Sequence, residues 1–260
     1  MEGTHLGPPG EPGLIEELAA NAWPALIVQV VDGWRLRYTP GVRARRASSV
    51  LPMGGRDEVG LEDRMALVDD FYARRGQPVR YQMSPAAHPA DLDAVLQERG
   101  FAIEAPVHVQ TAWIEAVLGA FRPASPHVVV DEQPSDPWLA AYTELFRRGD
   151  ARTLRRVLLD RIAPPVGYAL LRIDHISAAI GMGVAERGWL GIFSMGTHER
   201  FRRRGAATAL LVALARWAET HHVVKAYLQV EEENDPAHRL YERAGFQTLY
   251  RYHYRIRQMS

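Results

Sequence analysis

Three arginines, a glycine and two alanines stand in a row at Arg202-Arg203-Arg204-Gly205-Ala206-Ala207-Thr208. They fall between an apolar run, Leu190 to Met195, and an amphipathic one, Ala209 to Trp217. The spacing predicts a strand, a loop and then a helix. The first turn of a helix exposes unpaired N–H groups and the positive end of the macrodipole. Glycine and alanine let a bulky anion approach that backbone, and arginines add charge and donors. Together these are the parts of a pyrophosphate cradle.

The rest of the composition limits what such a cradle serves. The chain has 260 residues, no cysteine and a formal net charge of zero. Thiolate catalysis and cysteine-ligated zinc are thereby excluded. No global charge argues for a nucleic-acid or membrane partner. No metal site is read, and no apolar run approaches the roughly 20 residues of a membrane span. The Gly/Pro-rich residues 1–13 read as a flexible leader without signal-peptide form. A cytoplasmic protein is the expectation, and a homodimer is compatible with the sequence. The clusters Arg43 to Arg46, Arg74-Arg75 and Arg147-Arg148 read as solvated faces.

The elements that must position the loop follow from periodicity and turn residues. In the first half, helices are expected at Leu14 to Asn21, Leu61 to Arg75 and Ala90 to Arg99. Strands are expected at Leu26 to Val31, Trp34 to Tyr38, Ala47 to Leu51, Val79 to Met83 and Val107 to Ile114. A Pro/Ser/Ala stretch, Phe121 to Pro126, suggests a boundary. Beyond it, helices are expected at Asp136 to Arg148, Ala151 to Ile162, Ala206 to Thr220 and Asp235 to Arg243. The matching strands are His127 to Val130, Val166 to Ile173, Ile176 to Ala185, Trp189 to Met195, Val224 to Val230 and Gln247 to Ile256. The class is α/β (α+β), a mixed twisted sheet flanked by helices.

The chain also repeats itself. Arg80-Tyr81-Gln82-Met83 leads through a helix to Glu98-Arg99-Gly100-Phe101, and Ala226-Tyr227-Leu228-Gln229-Val230 leads through a helix to Glu242-Arg243-Ala244-Gly245-Phe246. Both units read strand, turn, helix, Gly-Phe, strand.

With the loop Arg202-x-x-Gly205-x-Ala207 and the segment Asn234-x-x-Ala237-x-x-x-Tyr241-x-x-x-Gly245-Phe246 in order, residues 126 to 256 resemble the GNAT superfamily of acyl-CoA-dependent N-acyltransferases. The resemblance implies acetyl-CoA as co-substrate and an amine as acceptor, with no nucleic acid or membrane partner. It implies that Arg202, Arg203, Arg204, Gly205, Ala206, Ala207 and Thr208 cradle the coenzyme A pyrophosphate. Met195, Gly196 and Thr197 then lie along the pantetheine arm, and Asn234 lies near it. Tyr241 matches the family's general acid. Ala207 replaces the glycine that often ends the family's loop.

Thioester aminolysis needs a neutral amine, oxyanion donors and a proton for the departing thiolate. The Met195 N–H is the candidate oxyanion donor. At ordinary pKa values, protonation by a tyrosine is uphill by roughly 2 kcal/mol. Glu231, Glu233 and His198 stay open as general bases.

In the first unit Leu96 stands where the second has Tyr241, and residues 53 to 64 carry Asp57, Glu58, Glu62 and Asp63 instead of an Arg-x-x-Gly-x-Ala loop. Carboxylates suit a helix start but repel a diphosphate. The expectation is a degenerate GNAT-like domain over 14–120, walling the cleft of a GNAT domain over 126–260. The rival expectations are a non-catalytic acyl-CoA binding or sensing module and, less well supported, a nucleic-acid binder.

Overall fold

The computed structural model describes residues 10–42, 44–121, 128–146, 153, 155 and 158–258. Two-residue turns build its first hairpins. Asp32 and Gly33 take positive φ, +42° and +85°, and join β1 (Ile27–Val31) to β2 (Trp34–Tyr38). Asp174 and His175, at φ +49° and +63°, join β7 (Val166–Ile173) to β8 (Ile176–Glu186). Left-handed turn residues match the twist of the strands they connect.

The remaining strands are β3 (Val50–Pro52), β4 (Val79–Met83), β5 (Ala102–Trp113), β6 (Val128–Asp131), β9 (Trp189–Thr197), β10 (Lys225–Glu231) and β11 (Gln247–Arg257). The helices are α1 (Pro12–Ala22), α2 (Leu61–Ala73), α3 (Leu92–Glu98), α4 (Ile114–Gly119), α5 (Asp136–Phe146), α6 (Ala206–Glu219) and α7 (Asp235–Arg243). All the strands form one 11-stranded sheet, in the order β1-β2-β3-β4-β11-β5-β10-β9-β8-β7-β6.

That order is a palindrome around the central β11/β5 pair, with β6 added at one edge. The partners are β4 and β10, β3 and β9, β2 and β8, and β1 and β7. The repeat read in the sequence is therefore two equivalent units, β4–α3–β5 and β10–α7–β11, facing each other. Each lends its last strand to the other: β5 lies between β10 and β11, and β11 lies between β4 and β5. The cores cross the midpoint too. One apolar cluster joins Ile15 and Leu18 of α1 to Trp138 of α5, Tyr168 of β7 and Tyr250 of β11. A second lies under α6 and α7, and a third under α2 and α3.

Several expectations need correcting. Residues 47 to 49 are not strand: Arg45–Ala47 is a 3-10 turn, and local bonds from Ala47 N to Ala44 O (3.0 Å) and Ser48 N to Arg45 O (3.0 Å) use the backbone groups that a ladder needs. Strand β5 starts at Ala102, five residues before Val107. Pro106 lacks an N–H and Ala105 takes φ +49°, which breaks the alternation, yet pairing with β11 continues past a register shift to Ala102. Of the helix expected over 151–162, residues 159–161 form a 3-10 turn, and most of the rest lies outside the described residues, as do 122–127 at the expected boundary. No described helix is long and apolar enough to cross a membrane.

Because β5 is a central strand of the second half, residues 128–258 produced alone leave β10 and β11 with unpaired edges. Such a fragment is expected to show no cooperative thermal melt by circular dichroism, and co-production with residues 10–121 is expected to restore one.

Candidate active site

The cleft opens where two parallel strands part. β9 and β10 pair from Trp189↔Lys225 to Ile192↔Leu228 and no further, although β9 runs to Thr197 and β10 to Glu231. The cause is a bulge in β9. Its register with β8 jumps between Met182↔Phe193 and Ile180↔Gly196, so that Ser194 and Met195 face Gly181 alone, with Ser194 at φ +52°. A bulge bends and twists its strand. Gly181 suits the place because a Cβ there would lie 2.7 Å from the Met195 sulfur, and its carbonyl accepts a hydrogen bond from the Trp138 indole at 3.1 Å.

Between the splayed ends lies a cavity of about 330 Å³. One wall is Phe193, Ser194 and Met195; the other is Gln229, Val230 and Glu231, continued by Asn234 and Tyr241. Gly196 and Thr197 run on beside β8, outside the cavity lining, with Gly196 against the Phe146 ring.

Asn234 begins α7 as its cap, its Oδ1 accepting from the Ala237 N–H at 3.3 Å. One side of α7 then carries Tyr241 into the core, 7 % exposed and edge-on to Phe246 with 5.7 Å between ring centres. Tyr241 still borders the cleft, and its hydroxyl has no hydrogen-bond partner among the described residues. Burial pushes its phenol up to about 12.

The arginine loop follows β9. Phe201 is buried and anchors a 3-10 turn, Glu199–Phe201, whose start is capped by His198 accepting from the Arg200 N–H at 3.3 Å. Arg203 and Gly205 then take left-handed φ values, +61° and +81°, and α6 starts at Ala206. The N–H groups of Ala206, Ala207 and Thr208 have no helical carbonyl before them. Arg202, Arg203 and Arg204 are exposed, and none of their guanidinium groups has an ion-pair or hydrogen-bond partner among the described residues. These residues do not line the cavity; they stand beyond the C-terminal end of the same strand.

The corresponding loop of the first half differs. It precedes α2 after β3, and Asp32 fills it: one carboxylate oxygen accepts from the Arg56 N–H at 2.8 Å and the other from the Val59 N–H at 3.2 Å. Those backbone bonds hold the Asp32 carboxyl below its ordinary value. The loop's amides already serve the protein's own anion.

Of the base candidates, Glu231 lines the cavity but pairs with Arg45 at 3.0 Å. His198 lies 3.7 Å from Glu144, and neither His198 nor Glu233 reaches the cavity lining. The residues missed by sequence reasoning come from both halves, and Tyr142, Phe146 and Gln229 line the cavity from the second. Trp23, Arg45 and Arg46 close the cleft over Phe193, so Arg45 and Arg46 are not simply a solvated face; Arg43 of the same cluster, like Arg147 and Arg148, lies outside the described residues. No local signal marks them, because their position depends on a sheet shared by both halves. No group of three or more His, Cys, Asp or Glu suited to a metal occurs among the described residues.

A family model described as "Probable histone acetyltransferase Rv0428c C-terminal" matches residues 13–255. The chain belongs to this acetyltransferase family. The match takes in both halves as one unit, in keeping with their common sheet. Among curated proteins, the Bacillus subtilis (strain 168) "Uncharacterized N-acetyltransferase YobR" is 28% identical over 246 residues, covering 94% of this chain and 98% of that protein. The fold of this acetyltransferase is shared with a GCN5-related N-acetyltransferase from Kribbella flavida, at TM-score 0.67 and 16% identity over 94% of this chain and 93% of the other. A tandem GNAT protein from the clavulanic acid biosynthesis pathway also superposes at TM-score 0.67, with 14% identity over 86% and 78%.

Tyr241 should stay protonated throughout the neutral and mildly alkaline range. An alkaline absorbance titration of wild type against Tyr241→Phe is expected to show the difference phenol ionising near pH 12, not near 10.

Proposed function

We propose that this acetyltransferase moves an acetyl group from acetyl-CoA to a primary amine by direct attack. The observation that carries the reading is the parting of β9 from β10, which leaves Met195 and the buried Tyr241 on facing walls below an unpaired arginine loop at a helix start. The coenzyme's diphosphate is held by the amides from Arg203 to Thr208, with Arg202 to Arg204 supplying charge. Its pantetheine arm runs along Met195, Gly196 and Thr197, past Asn234.

The amine nitrogen attacks the thioester carbonyl carbon, and a C–N bond replaces the C–S bond. The Met195 N–H stabilises the oxyanion. The thiolate takes a proton from Tyr241, and the proton lost by the amine returns through solvent to the phenol.

Burial makes this donor weaker than an ordinary tyrosine. Against a thiol of about 8.5, a phenol near 12 leaves a gap of about 5 kcal/mol. The same dry wall disfavours the thiolate and raises its pKa, which narrows the gap as the bond breaks.

The palindromic sheet and the Asp32-filled loop support reading residues 14–120 as a degenerate copy that walls the cleft. The copy keeps the architecture but has lost the anion site and, at Leu96, the acid. Acyl-CoA donors are intracellular metabolites, so the reading carries a cytoplasmic location with it.

Tyr241→Phe is expected to lower turnover about 10²-fold or more, while calorimetry shows coenzyme A affinity nearly unchanged. Unaltered turnover would remove Tyr241 from the reaction. Gly205→Val tests the cradle. A Cβ at Gly205 meets nothing within 4 Å, so the strain comes from φ +81° alone. A left-handed β-branched residue costs about 1–2 kcal/mol, and coenzyme A should bind at least several-fold more weakly.

A further inference from the structure

Where the first half meets β10, the cleft wall is built from donors. Three buried side-chain nitrogens, Trp23 Nε1, Arg46 Nη1 and Gln229 Nε2, have no hydrogen-bond partner, and all three residues line the cavity. Gln229 is held in the orientation that turns its amide nitrogen free. Its Oε1 accepts from the Tyr252 hydroxyl at 2.8 Å and from Arg46 Nη2. Arg46 Nη2 also donates to the Tyr252 oxygen at 3.3 Å, and the guanidinium carbon lies 5.7 Å from the centre of the Phe193 ring. Unpaired buried donors are costly, and a set with no acceptor among them calls for a ligand that only accepts.

The charge balance points the same way. Arg46 has no carboxylate within ion-pair distance among the described residues. The buried carboxylate behind it, Glu16, accepts from Tyr250 at 2.9 Å and from Gln82 at 2.7 Å, while Gln82 accepts from the buried Arg37 at 2.8 Å. Both Arg46 and Arg37 act on Glu16, so this one buried carboxylate faces two guanidinium groups and one positive charge is left over. The neighbouring Arg45 is already matched by Glu104 at 3.2 Å and Glu231 at 3.0 Å.

Resting on the acetyl-transfer reading above, we infer that the acceptor is a free amino acid with an apolar or aromatic side chain, and that Arg46, Gln229 and Trp23 bind its carboxylate. Three features fix this class. A carboxylate offers only acceptor lone pairs to the three donors. Arg46 sits over Phe193, two residues from Met195, so the anion and the attacking nitrogen must be close together in the acceptor. Tyr142 and Phe146 of α5 give the rest of the cleft an apolar wall. A cation beside the ammonium group also lowers its pKa and favours the neutral nucleophile.

The test compares phenylalanine and leucine with their amides, with phenethylamine and with a lysine-containing histone-tail peptide, as acceptors from acetyl-CoA. The free amino acids are expected to exceed their amides in kcat/KM by about 10²-fold, chiefly through KM. Arg46→Gln is expected to bring that ratio near one. Equal or faster turnover of the amides or of the histone peptide would overturn the inference. Equilibrium binding of N-acetylphenylalanine against N-acetylphenylalaninamide to the wild-type chain separates this subsite from the transfer reading and from any folding defect of the variant. Preferential binding of the carboxylate supports the subsite even where no turnover is seen. Equal binding, or none, overturns it.

Discussion

The cleft exists because two strands change places. β5 belongs by sequence to the first half and pairs with β10 and β11 of the second, while β11 crosses back to pair with β4. Central strands satisfy their backbone groups on both sides, so neither half can close its own sheet. This exchange fixes the halves in one rigid relation. It also brings the 3-10 turn at Arg45–Ala47 and the end of α1 over the bulge in β9, where they become a wall.

Within that frame the two ends of the palindrome have diverged in electrostatics more than in backbone. Both have a parallel strand pair, β3/β4 and β9/β10, with a helix between its members. After β9, the loop leaves its arginines unpaired and the first amides of α6 without helical acceptors. After β3, Asp32 receives the loop's amides. A helix start with a resident carboxylate is already satisfied, whereas one ringed by free guanidinium groups carries positive charge that no side chain offsets. The same contrast recurs on the paired helices α7 and α3, where Tyr241 borders a cavity and Leu96 is fully buried.

Burial has different consequences for two polar groups of the cleft. For Tyr241 it suppresses ionisation of the phenol. For Arg46 it leaves one guanidinium nitrogen, Nη1, buried without a partner among the described residues. Both depend on aromatic neighbours, Phe246 for the first and Phe193 for the second.

Much of this could be read along the chain. Local periodicity and turn residues located β4, β7 and α7 to the residue, and the Asp32-Gly33 and Asp174-His175 turns announced their hairpins. The helix-start loop and the Asn234 to Phe246 segment carry their chemistry in consecutive residues, so the family was legible as well. Boundaries failed where a bulge or a turn overrode alternation, at Ala105-Pro106 and at Arg45–Ala47. What the sequence could not show was which strands are neighbours. Pairing of β5 with β11 and burial of Arg46 against Gln229 and Tyr252 join residues far apart in the chain, and such contacts leave no local pattern. The residue types and their spacing thus determined most of the elements and the arginine loop ahead of α6. Tertiary structure alone decided the shared sheet and the donor-lined wall, because non-local pairing is set by closure of the whole sheet.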